Sequence, residues 1–131
     1  MPLESVVDAL RRIQSALVPG GLLLDMQPIA PRPPVEADGT RLGTLDMREW
    51  AAIVADVAEL VDETIAEGLF SEEGRRRYEI VETFDDSGEF VETVREWTGT
   101  KISRSLSAQA RRAPPPLKIY ETVRLRVLRS A

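Results

Sequence analysis

The chain has 131 residues, a length that predicts one domain able to bury a core without staples. Cysteine and histidine are both absent, which excludes disulfides, thiolate metal sites, a cysteine nucleophile and any Ser-His-Asp triad. The formal net charge of −5 and pI near 4.9 argue against a backbone-neutralising nucleic-acid binder. No apolar stretch is long enough to span a bilayer, and Arg11, Arg12 and Gln14 interrupt the apolar positions of residues 1–20, so no secretory pattern is read there. A cytoplasmic location is the expectation.

The first segment reads as an amphipathic helix. Val6, Leu10, Ile13 and Leu17 follow the three- and four-residue spacing of one helical face, and Ser5 and Asp8 fit a capping box. Val18-Pro19-Gly20-Gly21 must end it, because proline disfavours helix in the residue before it and two glycines permit a tight turn. Leu22 to Gln27 is then a short, nearly continuous apolar run, the pattern of a strand covered on both faces in a parallel sheet.

Residues 28–40 are a proline-rich loop, with Pro28, Pro31, Pro33 and Pro34. Asp38-Gly39 is a turn signal, and a short hairpin fits from about Val35 to Leu45. Asp46 and Glu49 form a second capping-box pattern. The helix from about Met47 to Glu67 carries Trp50, Ile53, Val54, Val57, Leu60, Val61 and Ile65 on one stripe, and Gly68 stops it. Ser71 caps a short turn through Gly74.

Arg77 to Phe84 reads as a strand, ended by Asp85-Asp86-Ser87-Gly88. Phe90, Val91, Val94 and Trp97 match helical spacing over about Ser87 to Trp97. A second helix from Ser103 to about Arg112 is closed by Pro114-Pro115-Pro116. In the last strand, Leu117 to Leu128, Ile119, Val123, Leu125 and Val127 point one way, and Lys118, Tyr120, Thr122, Arg124 and Arg126 point the other. Arg124 and Arg126 then protect a sheet face or edge against aggregation. Arg75-Arg76-Arg77 is a solvated loop balancing Glu72 and Glu73, Asp85 and Asp86 serve turn chemistry, and Trp50 and Trp97 belong to the core.

Leu17-Val18-Pro19-Gly20-Gly21 leading into the leucine strand resembles the second half of class I S-adenosylmethionine-dependent methyltransferases. In that family an amphipathic helix leads through a similar turn into the fifth strand. Two strands follow, the last antiparallel and inserted between its neighbours. The resemblance implies an α/β fold: a partial Rossmann-like methyltransferase sheet of about three to five strands, mixed, its last strand antiparallel, flanked by helices. Leu117 to Leu128 would be the inserted strand and Arg77 to Phe84 the one before it.

The family's glycine-rich cofactor loop has no counterpart, since the sequence holds no Gly-x-Gly-x-Gly. Gly20-Gly21 stands at the start of a strand, the opposite end from the ligand crevice of an open parallel sheet. The chain alone is therefore expected to hold no cofactor, S-adenosylmethionine binding only if a complementary half is present. Asp25 and Gln27, at the carboxyl end of the strand, with Arg41 from the loop beyond, are the candidate substrate-binding residues; no metal site is read. The strand at 22–27 would lack a neighbour, so a homodimer or a partner chain covering it is expected. Three functions stay open: a methyltransferase-like protein or fragment inactive by itself, a non-catalytic dimerisation or partner-binding module, and a small α/β enzyme using carboxylates such as Asp25 and Glu36.

Overall fold

The computed structural model describes the backbone of residues 3–131 and the side chains from residue 8 onward. The elements in chain order are α1 (Leu3–Ala16), β1 (Leu22–Pro28), β2 (Pro34–Ala37), β3 (Thr40–Thr44), α2 (Arg48–Ala66), β4 (Phe70–Phe84), α3 (Ser87–Glu96), α4 (Arg104–Arg112) and β5 (Leu117–Ser130). The five strands form an open sheet in the order β1-β5-β2-β3, with β4 also paired to β5. The class is α/β, but the expected mixture of parallel and antiparallel neighbours is corrected: every pairing is antiparallel. The physical reason is β5. β1 and β4 run in the same direction, yet each bonds to β5 and not to the other.

The chain divides into two compact units, with α2, β4 and β5 passing through both. The first comprises residues up to Gln27, Ile53–Arg77 and Arg124–Ala131. Its core is Leu10 of α1, Val61 of α2, Phe70 of β4 and Leu128 of β5, with Leu17, Leu23, Val57, Ile65 and Leu69 packed around them. The capping box read at Ser5 and Asp8 lies partly outside the described side chains. The turn after α1 is closed by main-chain bonds: Gly21 N–H donates to Val18 C=O (2.8 Å) and Gly20 N–H to Ser130 C=O (3.1 Å). Gly20 takes φ +82°, a conformation that favours glycine.

The second unit comprises Pro28–Ala52 and Tyr78–Val123. Its larger core joins Val35, Ala37, Leu45, Met47, Phe90, Val91, Val94, Leu106, Ala110, Leu117 and Ile119; Trp50 and Trp97 pack against it, half-buried. The hairpin read from Asp38-Gly39 is present as β2–β3. Both turn residues have positive φ (46° and 81°), the requirement of the two-residue turn whose twist matches the strands it joins. Asp86 caps α3, its side chain accepting from Glu89 N–H at 2.9 Å, and Ser103 caps α4 by accepting from Leu106 N–H at 3.0 Å.

Three sequence expectations are corrected. The turn read from Ser71 to Gly74 and the loop read at Arg75-Arg76-Arg77 both belong to β4, which starts at Phe70 rather than Arg77. Asp46 does not form a capping box with Glu49; it accepts from the Arg48 N–H and guanidinium instead. Arg126 does not protect an exposed face: it is 1% exposed. Buried positions on β5 are odd-numbered from Leu117 to Val123 and even-numbered from Arg126 to Ser130, with Arg124 and Leu125 half-buried between.

The buried Arg126 is compensated by charge. Its Nη2 donates to Asp62 Oδ1 at 2.7 Å and its Nε to Glu72 Oε2 at 3.1 Å. Arg75 also donates to Glu72, at 2.8 Å. The hydrogen bond from Arg75, reinforced by Arg126, holds the Glu72 carboxyl at about 2. An unpaired guanidinium at this depth would cost several kcal/mol in lost hydration.

Candidate functional site

Asp25 and Gln27 are two apart on β1 and so face the same way, both half-buried. Gln27 Nε2 donates to Asp25 Oδ1 at 3.2 Å, so the two partly satisfy each other. Arg41 belongs to the other unit, exposed on β3 across from Glu36 of β2. Glu36 in turn lies beside Tyr120 of β5. Burial first, and then the Glu36 and Glu79 carboxylates, push the Tyr120 phenol above its ordinary value.

The described residues contain a second carboxylate arrangement, in the second unit, that the sequence reading did not single out. Glu121 of β5 is 6% exposed, and Glu82 of β4 is half-buried. Burial and the nearby Glu82 charge raise Glu121 to about 7, and burial also raises Glu82. A carboxyl group titrating near neutrality can exchange a proton at working pH, and like charges brought together are a recognised source of such a shift. The signal was present in the sequence: Glu121 stands in the inward series Leu117, Ile119, Glu121, Val123, where an apolar residue is the usual occupant.

A shallow depression of about 290 Å³ in the same unit is lined by Asp46, Arg48, Glu49, Gly99 and Lys101. Asp46 and Lys101 exchange main-chain hydrogen bonds at 2.9 and 2.8 Å. Trp50 N–H reaches Gly99 C=O at 3.2 Å, tying the start of α2 to the turn after α3. The Arg48 side chain, through its hydrogen bonds, holds Asp46 far below the usual carboxylate range, and Asp46 raises Arg48. Asp46 is thus a fixed anion matched to a fixed cation, unsuited to proton transfer near neutral pH. The arrangement is a clasp between segments.

No cluster of three or more potential metal ligands occurs among the described residues, and no described helix is long and apolar enough to cross a membrane. The glycines before β1 do not suit a nucleotide cofactor. Both N–H groups are committed to Ser130 and Val18, and Arg129 Nη1 donates to Gly20 C=O at 2.6 Å. A Cβ on Gly21 would meet Val18 O at 3.0 Å, so the turn is closed upon itself and offers no cradle.

Among the described residues, β1 carries three exposed large apolar side chains. Leu22, Leu24 and Met26 are 50%, 61% and 56% exposed, while Leu23, Asp25 and Gln27 turn inward. The strand is therefore not covered on both faces, as its apolar run had suggested. It is also a terminal strand of the sheet, bonded only to β5 in the strand order.

No family model, no curated protein and no solved structure matches the chain.

Proposed function

We propose that the chain is a methyltransferase-type half-domain: the carboxyl-terminal part of a class I fold, without a cofactor site of its own and without methyl transfer as an isolated chain. One observation supports the reading above the others. In the first unit β5 lies between β1 and β4 and is antiparallel to both, which is the arrangement that the Pro19-Gly20-Gly21 resemblance leads one to expect of the last strand. The order helix, turn, strand, loop, helix, strand, helix, strand is kept by α1, β1, α2, β4, α3–α4 and β5, with the β2–β3 hairpin standing where the loop was expected. The committed N–H groups of Gly20 and Gly21, and a sequence with no Gly-x-Gly-x-Gly, account for the absence of cofactor chemistry from the proposal.

Calorimetric titration of the purified chain with S-adenosylmethionine tests this. The expected result is heat of dilution only. Saturable binding at micromolar concentration would reveal a cofactor site within these 131 residues and overturn the half-domain reading.

A second reading, a non-catalytic pairing module, is favoured by the exposed apolar residues of β1. Isolated surface hydrophobes are ordinary, but three alternating on an edge strand form a template for another strand.

A further inference from the structure

We propose that Arg124 is the anion-binding member of a small-ligand site that it forms with Gln27 and Asp25, and that the ligand is a carboxylate carrying a hydroxyl or ammonium donor beside it. The inference rests on the register and partners of these residues, all within the first unit, and not on the half-domain reading.

Register comes from the two ends of the β1–β5 ladder. Gly21 C=O accepts from Ser130 N–H at 2.8 Å, and Ile29 N–H donates to Thr122 C=O at 2.9 Å. The same number of residues separates these ends on each strand. An unbroken antiparallel ladder therefore sets Leu23 opposite Leu128, Asp25 opposite Arg126 and Gln27 opposite Arg124. The common core of Leu23 and Leu128 agrees with that register. Opposed residues point to one face, so Gln27 and Arg124 are neighbours there, and Asp25 is diagonal to Arg124.

The two arginines of this face are compensated differently. Arg126 donates to Asp62 and Glu72. Arg124 is half-buried, its Nε is buried without an acceptor, and none of the described carboxylates pairs with its guanidinium. A buried N–H without an acceptor destabilises the fold, and an arginine that serves only to hold strands together is normally met by a partner, as Arg126 is. Asp25 is in the complementary condition. It accepts from Gln27 Nε2 at 3.2 Å and pairs with no cation among the described residues. A guanidinium and a carboxylate thus stand unpaired on adjoining strands, with the Gln27 amide next to both.

Charge selects the ligand. Arg124 and Asp25 together are neutral, so they complement a carboxylate with a donor beside it. The second charge of a phosphate dianion would face Asp25 instead. The guanidinium takes the carboxylate through charge-assisted hydrogen bonds. Asp25 accepts from the neighbouring hydroxyl or ammonium, and Gln27 holds Asp25 in place. The assignment is of binding alone.

Nuclear magnetic resonance tests this on the wild-type chain through the Arg124 Nε–Hε signal. Glycolate, glycine and acetate are titrated in turn at constant ionic strength, with sodium chloride as the balancing salt. A saturable shift with a dissociation constant of roughly 1 mM is expected for glycolate or glycine. Acetate, which has no donor for Asp25, should bind roughly tenfold more weakly. The tighter of the first two names a hydroxy acid or an amino acid as the ligand class. Asp25→Ala should remove that advantage over acetate. Arg124→Gln, followed at the Gln27 amide signals, should weaken all three by roughly tenfold or more. Arg41→Gln, on the exposed side of β3, should weaken none. Thermal unfolding separates binding from folding. Without ligand, Arg124→Gln should melt as wild type does, because it breaks no ion pair, and it should lose the rise in Tm that glycolate or glycine gives wild type. Four results would overturn the proposal: no saturation with any of the three probes, the same shift produced by sodium chloride alone, affinity undiminished in Arg124→Gln, or a large loss of Tm in that variant without ligand, which would make Arg124 a structural residue.

Discussion

Glu121 occupies an inward position of β5 between Ile119 and Val123, 6% exposed, and burial together with Glu82 raises its carboxyl to about 7. In an unfolded chain the same group titrates near 4.5. A raised acid binds its proton more tightly in the folded state, so its contribution to stability is complete below about pH 4.5 and is lost as pH rises through about 7. Glu121→Gln removes that dependence. Chemical denaturation should find the variant more stable than wild type by about 1–2 kcal/mol above pH 8, with the advantage shrinking toward pH 4.5. Stability curves that stay parallel from pH 4.5 to 8.5 would show that the group is not desolvated as described. Arg126 shows the opposite balance. It is as deeply buried, but Glu72 and Asp62 meet it directly, and the cost of burial is offset by partners on α2 and β4.

At the scale of elements, much of the order was legible. Capping and turn residues act locally, so Asp38-Gly39, Asp86 and Ser103 mark structure wherever the rest of the chain lies. The start of β4 was not legible, because Ser71-Glu72-Glu73-Gly74-Arg75-Arg76-Arg77 has no apolar alternation to read. Glu72 is placed there by its bond to Arg126, fifty-four residues away. The phase change in β5 was hidden for a related reason: an unbroken alternation was extrapolated past Val123, when the buried series changes parity at Arg124 and Leu125. Of the candidate site, the place of Asp25 and Gln27 near the end of one strand is legible in the sequence, while the hydrogen bond between them is seen only in the structure. The Glu82–Glu121 pair depends on which strands are neighbours, which spacing along one strand does not report.

The turn between α3 and α4 offers a further element-scale test. Gly99 has φ +67°, and a Cβ there would lie 2.7 Å from Trp50 N and 2.9 Å from its Cα. Both the conformation and the close approach to α2 require glycine. Gly99→Ala is expected to destabilise by about 2–4 kcal/mol, the sum of left-handed strain and overpacking, measured by thermal or urea unfolding. A change below about 0.5 kcal/mol, the range usual for neutral surface substitutions, would mean that the turn relaxes freely away from Trp50.

For the whole molecule, the decisive feature is the place of β5 between β1 and β4, which leaves β1 at the rim with an apolar outer series. The half-domain reading draws on that rim. Cofactor binding by the chain alone would end that reading without moving β1 from the rim.

The most direct test of β1 as the terminal strand is amide hydrogen exchange resolved by residue. The account predicts alternation along β1: slow exchange at Leu23, Asp25 and Gln27, on the side bonded to β5, and fast exchange at Leu22 and Leu24. Uniform protection of all five amides, or fast exchange at Leu23 and Asp25, would contradict it.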